Sequence, residues 1–316
     1  METITTRYGE IPVAGFVERF DNGEVMCCSP AGKVTLHTPC GPLIPQFTTD
    51  DLRRRTVQSL SFHPSGALRA VPLENATQID TPAGRMTVEL VTFHPDGSLC
   101  RAFPLNGKLS GYWTQEDEGR LAAPVRLQTP LGTIEKKIIG VYFDPQGRLL
   151  SLTLWPGETL AAPTPAGVIA ARVGVSFTPE GRLRSIEPAK PHPVSTPAGV
   201  IQAYDLDAVG ICGDANSLVF SDEGAVARVR TNLTSVIARG ADGGERTFRP
   251  ELRESLCGDG DREITPLQLS FAPGVARIRA RHDRPWTELD LSKWTLRAEP
   301  FVAQFATAFG RMACSC

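Results

Sequence analysis

The segment "YDLDAVGICGDANSL", residues 204–218, gathers four oxygen-bearing side chains, Asp205, Asp207, Asp214 and Asn216. A hard cation needs several oxygen ligands on one bent stretch of backbone, and Asp205, Asp207 and Gly210 share the opening spacing of a calcium loop. The match then fails, because Val209 stands where a third ligand would be and Asn216 where a bidentate glutamate would be. Asp and Asn also bond their own backbone in ordinary turns, so a polar connection is the competing reading. The carboxylates Asp205, Asp207 and Asp214 would serve a hydrolase only if a pocket shifted the pKa of one of them.

Sulfur offers a second chemistry. Of eight cysteines, Cys27 and Cys28 are adjacent and Cys314 and Cys316 flank one serine at the carboxy end. If the two segments met, four thiolates would complete a tetrahedral site for zinc, copper(I) or an iron–sulfur cluster, or a redox pair. The spacing departs from a zinc knuckle, which separates its cysteines by two residues or more. Cys100 and Cys212 fall in or near apolar stretches and read as small core residues. His63 and His94 occupy equivalent places in two similar segments; rings stacked in register would share a metal or sense pH. Their counterparts elsewhere, Asp21, Asp144, Thr178 and Ser221, are ordinary turn-formers. Tyr112 and Trp113, with Trp155, would form a surface for carbohydrate or peptide, or a lid. The acids beside them, Glu116, Asp117 and Glu118, read as a solvated loop. No phosphate loop, dinucleotide fingerprint, nucleophile elbow or His-Glu-x-x-His occurs, so no cofactor is identified and catalysis is not the preferred reading.

The elements that must carry these residues are hairpins. A turn motif, aromatic-x-x-x-Gly-x-aliphatic, is read six times: "FDNGEV" from Phe20, "FHPSGAL" from Phe62, "FHPDGSL" from Phe93, "FDPQGRL" from Phe143, "FTPEGRL" from Phe177 and "FSDEGAV" from Phe220. Proline fixes φ and glycine supplies the left-handed residue that starts the return strand, so each copy is a hairpin tip. A second motif alternates with it, "TPCG" at Thr38, "TPAG" at Thr81, "TPLG" at Thr129, and "TPAG" at Thr164 and Thr196, marking where each hairpin begins. β-branched runs such as "GRMTVELVTF" and "GVIAARVGVSF" read as strands, and prolines close the strands that follow the tips. One hairpin cannot bury its apolar face alone, whereas stacked neighbours can, and the tips recur at irregular steps of about 30 to 50 residues.

These units resemble MORN-variant repeats, which also combine an aromatic, a short Asn/Asp-Gly turn and a return strand. The resemblance spans residues 16–230; the units here are longer and lack that family's regular period. It implies an interaction or scaffold role and supplies no catalytic residues.

The reading is a mainly β fold of repeated antiparallel hairpins, stacked into an extended or curled sheet, solenoid-like or barrel-like. Residues 1–230 form the array and 231–316 a mixed section. The latter ends in a capping helix, since Phe301, Val302, Phe305, Phe309 and Met312 recur at helical spacing behind Pro300. A net charge of −2 gives no general attraction to nucleic acid or anionic lipid. No run approaches the roughly 18 apolar residues of a membrane span, and the amino end lacks a signal-peptide pattern. The expectation is a cytoplasmic, non-catalytic binding or scaffold protein. Its partner would be a protein or small ligand, and it could self-associate.

Overall fold

The computed structural model describes residues 2–48, 52–54, 59–110, 112–208, 213–254, 262–280 and 283–302. The chain is mainly β, with a large antiparallel sheet, one short helix and no closed barrel among the described residues. It divides into two compact units, Met1–Glu187 with Val209–Asn216, and Pro188–Ala208 with Ser217–Cys316. This differs from a division at residue 230, and the sixth tip motif falls in the second unit.

In the first unit, strand Glu2–Thr6 pairs with Gly9–Arg19, which pairs in turn with Val25–Pro30, Leu60–Phe62 and Leu68–Thr81, one after another. The sheet continues through Gly84–Phe93, Leu99–Phe103, Ile138–Phe143, Leu149–Leu154 and Gly167–Phe177, every contact antiparallel. In the second unit, Leu218–Phe220 pairs with Val226–Thr231, followed by Leu267–Ala272, Val275–Arg279 and Thr287–Asp290. There Thr234–Gly240 also lies between Glu245–Phe248 and Trp294–Pro300.

All six tips close with the same two backbone hydrogen bonds. At the second tip, His63 N–H donates to the Ala67 carbonyl at 2.7 Å and Gly66 N–H donates to the His63 carbonyl at 2.9 Å. Gly66 sits at φ 73°, in the left-handed region that favours glycine. A register shift precedes five of the tips, as between Ser61 and Phe62, so one extra residue enters the return strand as a bulge. The tip aromatics Phe62, Phe93, Phe143 and Phe177 are each at most 4% exposed and form the core side of the sheet.

The first tip departs from the motif. Phe20 N–H bonds the Glu24 carbonyl, the role of His63 at the next tip, and Arg19 pairs with Val25 as Phe62 pairs with Leu68. The counterpart of His63 and His94 there is therefore Phe20, not Asp21, because "FDNG" is one residue shorter than "FHPSG".

The Thr-Pro motifs are hairpin turns in their own right rather than the beginnings of hairpins. Thr81 pairs with Gly84 across a two-residue loop, its hydroxyl donates to the Gly84 carbonyl at 2.6 Å, and it accepts from Ala83 N–H at 3.2 Å. The same bonds recur at Thr38, Thr129, Thr164 and Thr196. They recur at Thr6 in "TRYG", where no proline marks the turn.

The acidic stretch read as a solvated loop is instead the helix Gln115–Leu121. Thr114 and Asp117 form a reciprocal capping box, and Glu118 is buried. At the carboxy end, residues 298–300 belong to strand Trp294–Pro300, paired with Thr234–Gly240, so the helix does not begin there. Phe301 and Val302 follow without helical structure, Phe301 N–H donating to the Leu233 carbonyl at 2.9 Å, and Phe305, Phe309 and Met312 lie outside the described residues.

Candidate functional site

Residues that precede the tip aromatics point away from the core, because strand side chains alternate between faces. The register aligns them across the first unit. Cys27 pairs with Ser61, Ser61 with Ala70 and Ala70 with Thr92. Thr92 then pairs with Arg101, Arg101 with Tyr142, Tyr142 with Ser151 and Ser151 with Ser176. One face of the sheet thus carries a row of small, polar or cationic side chains across eight strands. The bulges enrich this face, since Arg69 and Cys100 are the extra residues beside Ala70 and Arg101.

One end of the row is covered. Asp214 accepts hydrogen bonds from Arg101 and from the Ser151 hydroxyl, and Gly213 N–H donates to Thr153 Oγ1 at 2.7 Å. Asn216 Nδ2 donates to Ser185 Oγ and to the Gly213 carbonyl, each at 2.8 Å. The approach is close: a Cβ on Gly174 would lie 2.4 Å from Gly213 Cα. Val173 beside it has φ 56°, a strained conformation for a β-branched residue.

The middle of the row is open. His63, Arg69, Ala70, Thr92, His94, Cys100 and Arg101 line a shallow cavity of 420 Å³ with Phe93 and Pro95. The Arg101 guanidinium stacks 4.3 Å above the Tyr142 ring while paired with Asp214, which fixes its orientation. Burial pushes the Cys100 thiol and the Tyr142 phenol up, so both stay protonated at neutral pH. The two histidine rings do not share a ligand. His63 Nε2 donates to the Phe93 carbonyl at 3.0 Å and His94 Nε2 to the Phe143 carbonyl at 2.9 Å, so each latches its tip to the next.

The remaining candidates take other places. Asp205, in the second unit, pairs with Arg230 at 3.6 Å and accepts from Asp207 N–H at 3.1 Å. Burial, then the Asp205 and Glu263 carboxylates, push Asp207 up. Asp214 and Asn216 belong to the first unit and are bonded as above. Among the described residues no group of three or more His, Cys, Asp or Glu is placed to hold a metal ion. Adjacent Cys27 and Cys28 face opposite sides of their strand and so do not form a two-thiolate half-site. Cys28 is fully buried, and burial pushes its thiol to about 12. Cys27 donates to Glu18 at 3.2 Å, and burial followed by that bond raises it to about 11. Cys212, Cys314 and Cys316 lie outside the described residues.

Trp113 and Trp155 are engaged by the helix, and Tyr112 projects at 86% exposure. Trp113 Nε1 donates to Glu118 at 2.6 Å, and a Cβ on Gly119 would lie 3.2 Å from Trp155 Nε1. Beneath them Arg53 bridges two carboxylates, contacting Glu118 at 2.6 Å through Nε and NH2 and Glu89 at 3.0 and 2.7 Å. All three residues are at most 8% exposed. Burial opposes ionisation of Glu118, and the bonds from Arg53 and Trp113 outweigh it, holding the carboxyl below its ordinary value. Sequence reasoning missed this hub because its members are separated by tens of residues and carry no spacing signal.

No known protein family, curated protein or solved structure matches this chain.

Proposed function

We propose that the chain is a non-catalytic binding or scaffold protein, an array of stacked hairpins that receives its ligand on the polar face of the first unit. The observation that carries this reading is the in-register row from Cys27 to Ser176, with the open groove at Arg69 and Arg101 in its middle. An array gives each hairpin an equivalent position on one face, so a continuous surface arises from a local rule. Lateral latches between tips support the stacking. Asn22 Nδ2 donates to the Pro64 carbonyl at 3.0 Å, and His63 and His94 continue the series. This organisation is also what the resemblance to MORN-variant repeats implies. Cys27, Cys28, Cys40 and Cys100 are free thiols. No helix among the described residues is long and apolar enough to cross a membrane.

The test is methyl and amide NMR of the full chain against a library of neutral and charged fragments. Shift changes should converge on Ala70, Thr92, Cys100 and Arg101. Perturbations concentrated instead at Asp205 and Asp207, or turnover of a fragment, would overturn the binding reading at this face.

A further inference from the structure

We infer that the open groove takes the oxyanion group of a small molecule, a phosphoryl or carboxylate group held between Arg69 and Arg101; this rests on the binding role proposed for the polar face. The row already holds one oxyanion of its own. The Asp214 carboxylate sits on Arg101 and the Ser151 hydroxyl, which shows what this face accommodates. Arg101 is stacked on Tyr142 and has lost most of its freedom before any ligand arrives. Its side chain retains 25% exposure beside the cavity.

Arg69 supplies the second cation. It is exposed, lines the same cavity, and has no carboxylate ion-pair partner among the described residues. The bulge after the second tip places it next to Ala70, two strands from Arg101, a span on the order of 10 Å that two guanidinium side chains close around one group. Between them the floor is small, Ala70 and Thr92, with the Thr92 hydroxyl buried beside the Cys100 thiol. Two guanidinium forks over a small floor suit bidentate oxyanion recognition.

The probes are inorganic phosphate, pyrophosphate and acetate, titrated into the full chain at constant ionic strength with sodium chloride as the reference. The Nε–Hε signals of Arg69 and Arg101 are followed by NMR. Saturable shifts of both signals are expected, and Arg69→Ala should weaken binding by about tenfold or more without changing the melting temperature. Arg85→Ala, at an exposed turn outside the groove, should leave it unchanged. Saturation by phosphate and pyrophosphate alone would assign the phosphoryl class, and saturation by acetate alone the carboxylate class. Shifts matched by chloride, or equal affinity in Arg69→Ala, would overturn the inference. Neutral fragments that still bind the groove when the anions fail would leave the polar-face reading intact, whereas failure of both would remove it as well.

Discussion

Replacing Arg53 by methionine strips the guanidinium from between Glu89 and Glu118 while filling part of its volume. Two carboxylates then face one another in a site where each residue is at most 8% exposed. Breaking a buried ion pair in this way costs about 3–5 kcal/mol. Asn106 N–H still donates to Glu89 and Gly107 N–H to Glu118, so the lower end, about 3 kcal/mol, is expected at pH 8. The hub ties residues 52–54 and 106–118 to strand Gly84–Phe93, and its loss should appear first as local opening. Amide exchange at Asn106, Gly107 and Lys108 should accelerate about a hundredfold. The sign follows from the carboxylates. In the native protein Glu118 is held low, so its stabilisation is present above the unfolded value of about 4.3 and is lost as pH falls through the folded value. In Arg53→Met a carboxylate is raised, so the penalty grows as pH rises above the unfolded value and vanishes below it. The two proteins should therefore differ most near pH 8 and converge only as pH falls below the folded Glu118 value. Protection within threefold of native at pH 8, or a difference independent of pH, would refute the account.

Gly174→Ala should loosen the 213–216 segment, because the new Cβ meets Gly213 Cα at 2.4 Å and backbone must move; overpacking of this kind costs about 1–3 kcal/mol. Urea melts of the variant, with exchange at Gly213 N–H as the local readout, check this, and unchanged values at both would contradict the close approach. For the thiols, a native protein titrated with a thiol reagent at pH 8 should leave Cys28 unmodified until unfolding and modify Cys27 slowly, given values of about 12 and 11. Mass spectrometry of the labelled peptides reads the order, and prompt labelling of Cys28 would count against its place in the core.

The hairpin tips were legible because their chemistry is local: a glycine at positive φ, a proline and a preceding aromatic announce themselves within six residues. The Thr-Pro motifs announce themselves in the sequence but not their place in the hairpin, since the bond from the threonine hydroxyl to the glycine carbonyl is what makes them turns, and a hydroxyl's partner has no sequence signature. "TRYG" lacks the proline of the other turns, and only the threonine and glycine that form the bonds mark it as one of them. The acids Glu116, Asp117 and Glu118 suggest a solvated loop, yet Thr114 and Asp117 stand at capping-box spacing and mark the start of the helix at Gln115. The polar row required strand register, a long-range quantity. No spacing in the sequence says that Arg101 lies beside Tyr142 or that Asp214 returns to meet them both.

The tips keep nearly constant length while the stretches that lead to the Thr-Pro turns do not. The helix-bearing stretch 104–124 lies between strand Leu99–Phe103 and the arm Val125–Thr129, and residues 155–159 separate Leu149–Leu154 from Leu160–Thr164 in the same relative place. At the corresponding point of Leu68–Thr81, a four-residue irregularity interrupts the pairing with Gly84–Phe93. Sequence can thus be gained or lost at the junction between sheet and arm without changing which residues meet across the row. The uneven steps between tips are a record of that tolerance: new segments enter where the sheet ends, and the face they overhang keeps its register.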